Sequence, residues 1–334
     1  MSSRDAGLAI GVLGPGGVGG LIAGALDRAG APVTVVARKS TAAIIGERGL
    51  RVRSVTLGEF TARPRAVDVL RERVDVLIVA TKAAGVQPAL ERIETPPGVV
   101  LPLLNGLEHV ALLREHFRHD SVLAGAIRVE ADRPEPGVIV HTSPFLRVDM
   151  AFGEPAGRGV TSAPVRQDGA ASATARALHL ADTMHELVQT LERAGVPARV
   201  LDSEAQVMWS KLVRLNALAC VTSAYDVLLG EIRSTPRLRA ELRAAIEEGC
   251  AVGQAEGAAD VEPAKAIAEL EQAHDTLGSS MQRDIAAGRA PELDAIAGSV
   301  LRAAARHRMR CATIERLAGM IAVRAGIAAP VAAA

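Results

Sequence analysis

The stretch "LAIGVLGPGGVGGLIAGALDRAGAPVTVVARKS", residues 8–40, decides the fold of the first half of the chain. It opens with a short apolar run, residues 8–13, which is typical of a buried parallel strand. After a glycine-rich turn, apolar residues recur at helical spacing up to Gly30, and residues 33–36 form a second apolar run. Strand, turn, helix and strand in one unit predict the start of a doubly wound α/β sheet of the Rossmann type.

The turn carries the pattern G-x-G-x-x-G, completed by Gly14, Gly16 and Gly19. The first glycine allows the tight turn, the second lets the backbone approach a pyrophosphate, and the third lets the helix pack on the strand. We therefore expect a dinucleotide with its diphosphate at the N-terminus of the helix, the alternative being a glycine-rich turn without a ligand. The residues expected to contact it are Gly14, Pro15, Gly16, Gly17, Val18 and Gly19.

Arg38, Lys39 and Ser40 follow the second strand, where NAD-binding chains usually carry an Asp or Glu that holds a ribose hydroxyl. A carboxylate would repel the 2′-phosphate of NADP, whereas guanidinium, ammonium and hydroxyl groups can bind it. These residues predict NADPH as the cofactor. The alternative is that both cations are solvated residues at a strand end.

Lys82 and Asn105 end two further apolar runs, residues 74–82 and 99–106, that predict parallel strands. Because ligands of open parallel sheets lie beyond the carboxyl ends of the strands, both side chains are expected near the nicotinamide. A helix-start lysine and an ordinary Asn-Gly turn are the alternatives.

The rest of the chain changes from alternating to helical patterns. Residues 121–153 predict more strands at the far edge of the sheet, and residues 154–175 predict a linker or mobile loop. Apolar periodicity then predicts helices over residues 178–194, 203–229, 236–255, 263–286 and 292–306. We expect an NADP-binding Rossmann-type domain over residues 1–175 and an all-helical substrate and dimerisation domain over residues 176–334, with a homodimer as the expected assembly.

Composition narrows the function. The 334 residues suffice for two domains, and 38 basic residues balance 38 acidic ones, which argues against a nucleic-acid or membrane-surface protein and favours a small-molecule partner. No apolar run approaches the roughly 20 residues of a membrane span, and no signal peptide is evident, so a cytoplasmic protein is expected. Cys220, Cys250 and Cys311 lack metal-ligand spacing; we expect buried thiols and no metal site.

Lys211 lies in "VMWSKLVRLNALACVTSA", a predicted helix that is apolar nearly all round. Only four of the basic residues are lysines, so a lysine here needs a reason. A compact ammonium that can give up its proton when partly desolvated is such a reason, which makes Lys211 a candidate proton donor. The alternative is that it snorkels to an edge beside Arg214.

Nearly the whole chain resembles the ketopantoate reductase family, the NADPH-dependent 2-dehydropantoate 2-reductases and their relatives. The likeness rests on "GPGGVGG", "VTVVARKS", "LLNGLEH", "PGVIVHT", "MWSKLV", "LGEIRSTP" and "SSMQRDIAAGRAPELDAIAG", which follow in the family's order. The resemblance implies a two-domain reductase of a small carbonyl substrate with Lys211 as general acid. It further implies that the cofactor is held by Gly14, Gly16, Gly19, Arg38, Lys82 and Glu292, and that Asn105 and Ser280 lie at the substrate, Asn105 also near the nicotinamide. Without the resemblance, Ser280 could simply cap a helix, and the charge of Glu292 could interact favourably with the first turn of the helix that follows it.

The substrate half departs from the family pattern. Pantoate-making members carry Asn four and eight residues after the catalytic lysine, where this chain has Leu215 and Ala219. Asn216 lies one residue later, about 100° round the helix, and Ala297 stands where Asn is usual. We therefore expect a larger or less polar carbonyl substrate than ketopantoate.

A strand that is typically small and apolar in the family carries Arg128 and Glu130. Arg128 or Asn216 could supply the missing substrate contacts. Two other functions remain open: another two-domain dehydrogenase of the 3-hydroxyacid or opine type, and a non-catalytic NADP-binding sensor. The missing Asn after Lys211 argues against the 3-hydroxyacid type; retention of Lys211 argues against the sensor, whose partner-binding loop would be residues 154–175.

Overall fold

The computed structural model of the chain describes residues 7–152 and 167–331. Contacts within the chain divide it into two compact units, Met1–Leu104 with His109–Glu204, and Asn105–Glu108 with Ala205–Ala334. The strands, all in the first unit, are β1 (Ile10–Leu13), β2 (Val33–Val36), β3 (Leu50–Ser54), β4 (Gly58–Ala62), β5 (Arg65–Val67), β6 (Val76–Val79), β7 (Val99–Pro102), β8 (Ala124–Arg128), β9 (Ala131–Glu135), β10 (Val138–His141), β11 (Arg147–Ala151) and β12 (Ala198–Val200). Its helices are α1 (Gly17–Arg28), α2 (Lys39–Arg48), α3 (Val86–Leu90), α4 (His109–His116) and α5 (Gln167–Arg193).

A five-stranded parallel sheet in the order β5-β2-β1-β6-β7 forms the centre of the first unit. Every residue of β1, β6 and β7 is buried, as expected of parallel strands that are covered on both faces. The predicted Rossmann-type fold is confirmed. The two strands predicted to end at Lys82 and Gly106 end earlier, at Val79 and Pro102, so their polar residues lie in the loops that follow.

The strands predicted from residues 121–153 exist, but they do not simply extend the edge of this sheet. β9 and β10 join β3 and β4, whereas β8 and β11 pair with β12. An isolated bridge between Val100 and Val122 links this region to β7. Period-two alternation shows which side of a strand is buried but not which strand is its neighbour, and this explains the difference.

The linker predicted over residues 154–175 needs correction in its last part. Residues 153–166 lie outside the described residues, but α5 begins at Gln167. Small residues made this stretch resemble a linker, although Ala is the best helix former. Farther along α5, Leu180, Met184, Leu187 and Leu191 are buried in the core that also contains the parallel sheet. The structure therefore places α5 in the first unit, with the division near residue 204 rather than at the expected 175.

The second unit is helical, and 14 of the 22 residues of its first helix are buried. Its helices are α6 (Glu204–Tyr225), α7 (Leu229–Ser234), α8 (Pro236–Ala255), α9 (Pro263–Gln272), α10 (Ser280–Ala286), α11 (Ser299–Arg306) and α12 (Ala312–Ala325). α8 has the bounds predicted for it, but the helix predicted over residues 263–286 is divided into α9 and α10. The helix predicted over residues 292–306 begins with a π-helical turn, Asp294–Gly298. α7 and α12 were not predicted.

The three cysteines are buried free thiols, as predicted. Burial raises the pKa of both Cys220 and Cys311 to about 12, so these thiols stay protonated and unreactive. Of the helices within the described ranges, none combines the length and apolar character that a membrane crossing needs.

A buried histidine in the first unit has its tautomer fixed by its neighbours. Ser143 Oγ donates to the Phe145 carbonyl (2.7 Å) and accepts from the Glu130 N–H (2.9 Å), so the His141 Nε2, 3.1 Å away, carries a proton toward it. His141 Nδ1 then accepts from the Ser54 hydroxyl at 2.7 Å. Both ring nitrogens of His141 are therefore hydrogen-bonded to hydroxyl groups. The motif "PGVIVHT", which contains His141, thus has a structural role.

We expect this network to make the protein less stable in mild acid. Burial lowers the pKa of His141, outweighing the hydrogen bond of the Phe145 backbone, which raises it. Since the folded ring binds its proton less readily than the unfolded one, stability is full above about pH 6.5 and is lost as the pH falls below that value. The free energy of unfolding, measured by urea denaturation between pH 5 and 8, should fall less steeply toward acid in His141→Asn. The matched His119→Asn, at an exposed position, should keep the wild-type slope; equal slopes in all three proteins would contradict the assignment.

Candidate active site

The glycine-rich turn has the geometry that its sequence predicts. Gly14 has φ +90°, and a Cβ added to Gly19 would lie 2.2 Å from the Gly14 oxygen, so both positions require glycine. Gly16 differs, because an added Cβ there would meet its nearest atom, the Ala80 oxygen, only at 4.0 Å. A side chain at residue 16 would therefore fit within the protein itself. A glycine at this position is consistent with close approach of a ligand to the backbone.

The turn leads into α1 without a side-chain cap. The N-cap residue is Gly16, which has no side chain to accept from the first N–H groups of the helix. These donors and the helix dipole suit a diphosphate. Gly17 has a second role, because its added Cβ would lie 2.3 Å from the Ala131 oxygen; the backbone at Ala131 packs directly on the start of α1.

Arg38, Lys39 and Ser40 are exposed at the N-terminus of α2. Arg38 is the N-cap residue, with extended backbone (φ −59°, ψ 146°) and no capping hydrogen bond from its side chain. Two cationic side chains, one hydroxyl and the uncapped N–H groups of a helix therefore meet at one place. This combination suits a phosphate dianion better than it suits a ribose hydroxyl.

Lys82 is exposed at the start of a short 3₁₀ helix, Ala83–Gly85, that follows β6. Because β1, β2 and β6 are parallel, their carboxyl ends lie at one edge of the sheet. The glycine turn, Arg38 and Lys82 thus lie at that edge. This is the side of an open parallel sheet on which ligands bind.

In the second unit, Asn105 and Glu292 are hydrogen-bonded although they are far apart in sequence. Asn105 Nδ2 donates to Glu292 Oε2 at 3.0 Å. The next residue, Gly106, has φ +88°, and an added Cβ there would lie 2.3 Å from the Ala295 oxygen. The Leu107 N–H donates to Ser299 Oγ at 3.3 Å. The short Asn105–Glu108 segment is therefore held against the π-helical turn, and this orients the Asn105 amide.

Lys211 is half-buried on α6. Leu215 and Ala219 follow it at the spacing that places residues on one helical face, and Thr222, eleven residues on, lies about 20° from it. The Thr222 hydroxyl donates to Ser279 Oγ at 2.9 Å. The start of α10 therefore packs on the same side of α6 that carries Lys211.

Ser279, rather than Ser280, is the cap of α10. Its hydroxyl accepts from the Gln282 N–H at 3.0 Å, which leaves Ser280 exposed in the first turn. The capping alternative for Ser280 therefore does not hold. Sequence reasoning missed Ser279 as a fixed part of this region, although Ser279 and Gln282 have the spacing of a capping box.

Asn216 does not replace the amides missing from the Lys211 face. It is fully buried, and its Oδ1 accepts from the Cys220 thiol at 3.5 Å. Trp209 and Val213 share a helical face with Asn216, and they lie against Gly253 and Gly249 of α8. The face of α6 that carries Asn216 therefore packs into the core. Asn216 is about 140° round the helix from Lys211.

The possibility that Asn216 contributes to substrate binding therefore receives no support. Ala297, in the π-helical turn, is fully buried and offers no polar group. Across the described ranges, no cluster of three or more His, Cys, Asp or Glu side chains has the arrangement of a metal site.

Comparisons with known proteins match both parts of the chain to one family. Residues 10–157 match the family model described as "Ketopantoate reductase PanE/ApbA", and residues 203–325 match the model of its C-terminal part. A 2-dehydropantoate 2-reductase of Halobacterium salinarum is 28% identical over 321 residues, which covers 93% of this chain and 96% of the relative.

Two solved structures illustrate the shared fold. The ternary structure of D-mandelate dehydrogenase with NADH and anilino(oxo)acetate superposes with a TM-score of 0.78 at 19% identity, covering 95% of this chain and 98% of the other. A dimeric ketopantoate reductase from Staphylococcus aureus superposes with a TM-score of 0.72 at 17% identity, covering 96% and 99%.

Proposed function

Because the chain belongs to the ketopantoate reductase family, whose members are NADP-dependent oxidoreductases acting on C=O and CH–OH groups, we propose that it uses NADPH to reduce a small carbonyl substrate with Lys211 as general acid. The observation that carries the cofactor assignment is the uncapped N-terminus of α2 with exposed Arg38, Lys39 and Ser40. It offers a doubly charged phosphate two cations and a helix dipole.

The remaining cofactor contacts are proposed from their positions within each unit. Gly14 to Gly19 would hold the diphosphate at the start of α1, and Lys82 lies at the same edge of the sheet. The Asn105–Glu292 hydrogen bond would fix the orientation of the Asn105 amide, which the family resemblance implies for binding the cofactor. When bound, NADPH supplies the hydride that reduces the carbonyl carbon.

The proton is the part of the reaction assigned to the chain itself. As negative charge develops on the carbonyl oxygen, the Lys211 ammonium donates a proton to it, and a proton from solvent then restores the ammonium. Asn105 and Ser280 would position the substrate. Retention of the half-buried Lys211 argues against the sensor hypothesis, whose proposed partner-binding loop lies largely outside the described residues.

NADPH should bind at least tenfold more tightly than NADH, since one charge-assisted contact contributes about 1.5–3 kcal/mol and tenfold needs about 1.4 kcal/mol. Fluorescence titration of both cofactors measures this ratio. Arg38→Ala should weaken NADPH binding far more than NADH binding. Arg48→Ala, at the exposed far end of the same helix, is the matched control and should leave both dissociation constants unchanged. Equal dissociation constants for the two cofactors in the wild-type protein would overturn the assignment.

Two coarser expectations belong to the same proposal. We infer a cytoplasmic enzyme, which three reduced, buried thiols support. We also infer a homodimer by analogy with the dimeric Staphylococcus aureus relative. Sedimentation equilibrium of the full chain would distinguish a dimer from a monomer.

A further inference from the structure

Arg302, on α11, joins two parts of the second unit that are far apart in sequence. Its Nε donates to Glu108 Oε1 at 2.8 Å. Its Nη1 donates to Asp294 Oδ1 at 2.8 Å, and its Nη2 donates to the Asp294 carbonyl at 3.1 Å and to Asp294 Oδ2 at 3.3 Å. One guanidinium thus uses one nitrogen for the Asn105–Glu108 segment and two for the start of the π-helical turn.

The contact between Asp294 and Arg302 extends over the whole π-helical turn. The two residues are eight positions apart, twice the i,i+4 spacing of an ordinary helical ion pair. A Cβ added to Gly298 would lie 2.7 Å from Asp294 Oδ1 and 2.9 Å from Arg302 Nη1, so the two side chains meet over a residue that has none. The contact therefore ties the first residue of the turn to the helix that follows it.

Glu108 makes the connection to the other segment with both of its oxygens. Besides accepting from Arg302, its carboxylate accepts from the hydroxyl of Ser299, which is fully buried and itself accepts from the Leu107 N–H at 3.3 Å. Partial burial would raise the pKa of Glu108, but the hydrogen bonds of Arg302 and Ser299 outweigh it and hold that pKa below its usual range. Glu108 therefore stays ionised at neutral pH and keeps both contacts with α11.

This network fixes positions more than it stabilises the fold. The exposed fraction of the side chain is 22% for Arg302, 49% for Glu108 and 73% for Asp294. Ion pairs this exposed contribute little to the free energy of unfolding. Their geometry is still specific, because a planar guanidinium holds its donors in fixed directions. Loss of Arg302 should therefore loosen the contact between the two segments without unfolding the unit.

The ends of the network lie beside the two residues that the family resemblance implies for binding the cofactor. Asn105 is three residues before Glu108, and Glu292 is two residues before Asp294. The Asn105–Glu292 hydrogen bond, at 3.0 Å, joins the same two segments that Arg302 joins. A second connection between them restricts their relative movement, so Arg302 limits where the Asn105 amide can lie.

Building on the proposed function, we propose that Arg302 is a positioning residue, which acts through the Asn105 amide to prearrange its contacts with cofactor and substrate. An amide that is already in place binds without the entropic cost of ordering it. Arg302 itself need not contact either ligand. The π-helical turn that it spans is a feature found frequently at functional sites.

Hydrogen–deuterium exchange of the full chain without cofactor tests the positioning directly. In Arg302→Met, the peptide that contains the Leu107 N–H should exchange about tenfold faster than in the wild type. Arg306→Met is the matched control, because Arg306 lies one turn later on α11 and pairs with Glu256 at 2.9 Å. It should keep the wild-type exchange. Unchanged exchange in Arg302→Met, or the same acceleration in both variants, would overturn the proposal.

A double-mutant cycle on NADP⁺ binding tests whether Arg302 acts through Asn105. By calorimetry, Arg302→Met should weaken NADP⁺ binding about three- to tenfold, and Arg302→Lys, which keeps the charge, should recover part of the loss. In the Asn105→Ala protein, the added Arg302→Met change should have less than about a twofold effect. Effects that multiply would show that Arg302 acts elsewhere and would reject the positioning role.

Turnover separates this inference from the proposed reaction. In an active enzyme, Arg302→Met should lower kcat about tenfold, and Arg306→Met should leave it unchanged. A wild-type protein that binds NADP⁺ but reduces none of a panel of 2-oxo acids and ketones would reject the reaction, while the binding cycle would still decide on Arg302. Undiminished NADP⁺ binding and turnover in Arg302→Met would reject the positioning role alone.

Discussion

Replacement of Lys211 by Met should lower the rate of carbonyl reduction by about 10²- to 10⁴-fold, because general-acid help contributes in that range. Met keeps the length and bulk of the lysine stem but has no proton to donate. Lys211 is half-buried, whereas Thr222 on the same side of α6 is fully buried and donates to Ser279 Oγ at the start of α10. Removal of the charge should therefore affect chemistry more than folding.

The measurement is single-turnover oxidation of NADPH, followed at its absorbance band, together with the NADPH dissociation constant. The dissociation constant should barely move. Lys265→Met is the matched control, since Lys265 is the other lysine of the second unit, exposed and paired with Glu262 at 2.9 Å; it should keep the wild-type rate. Full activity in Lys211→Met would require another acid, with Lys82 the next candidate.

Ketopantoate should be reduced with a specificity constant about 10²- to 10⁴-fold below that of the best substrate. A pocket that buries polar substrate groups without partners loses roughly 1–3 kcal/mol for each, and two amides are missing at Leu215 and Ala219. Asn216 does not replace them, because it is fully buried and bonded to Cys220. The side chains at these two positions are apolar, Leu215 partly buried and Ala219 fully buried, and we expect them to favour a bulkier group than that of ketopantoate.

Steady-state reduction of ketopantoate, beside bulkier keto acids, ketones and imines, decides this prediction. A ketopantoate kcat/KM of about 10⁴ M⁻¹s⁻¹ or more, highest in the panel, would show it to be wrong. Leu215→Asn restores an amide four residues after Lys211 and should raise the ketopantoate value while lowering that of an apolar 2-oxo acid.

Local patterns predicted the start of the first unit's parallel sheet well. Gly14 and Gly19 act through backbone conformation and close packing within one turn, and both effects can be read from a short stretch of sequence. The start of α2 could also be predicted from the sequence, because Arg38 and its neighbours follow the second strand directly. The role of α5 was missed, since its Ala-rich beginning resembles a linker and its burial depends on distant strands.

The second unit was harder to predict because its contacts join residues distant in sequence. Asn105 and Glu292 meet only after the whole helical unit has formed, so no local pattern shows their hydrogen bond. The resemblance implied both residues but not their contact. The π-helical turn was also unexpected, since apolar periodicity over residues 292–306 does not distinguish a regular helix from one that carries an extra residue in a turn.

That π-helical turn has a consequence for how the second unit tolerates length changes. Asp294–Gly298 separates Glu292 from α11, and a π turn accommodates one residue more than an α turn. Loss of one residue there would leave a continuous α-helix and preserve the fold of α11. It would also rotate Glu292 by about 100° relative to α11 and carry its carboxylate away from Asn105. The Asn105–Glu292 hydrogen bond thus depends on the extra residue in the π-helical turn. A one-residue deletion that leaves α11 folded would still separate the two side chains.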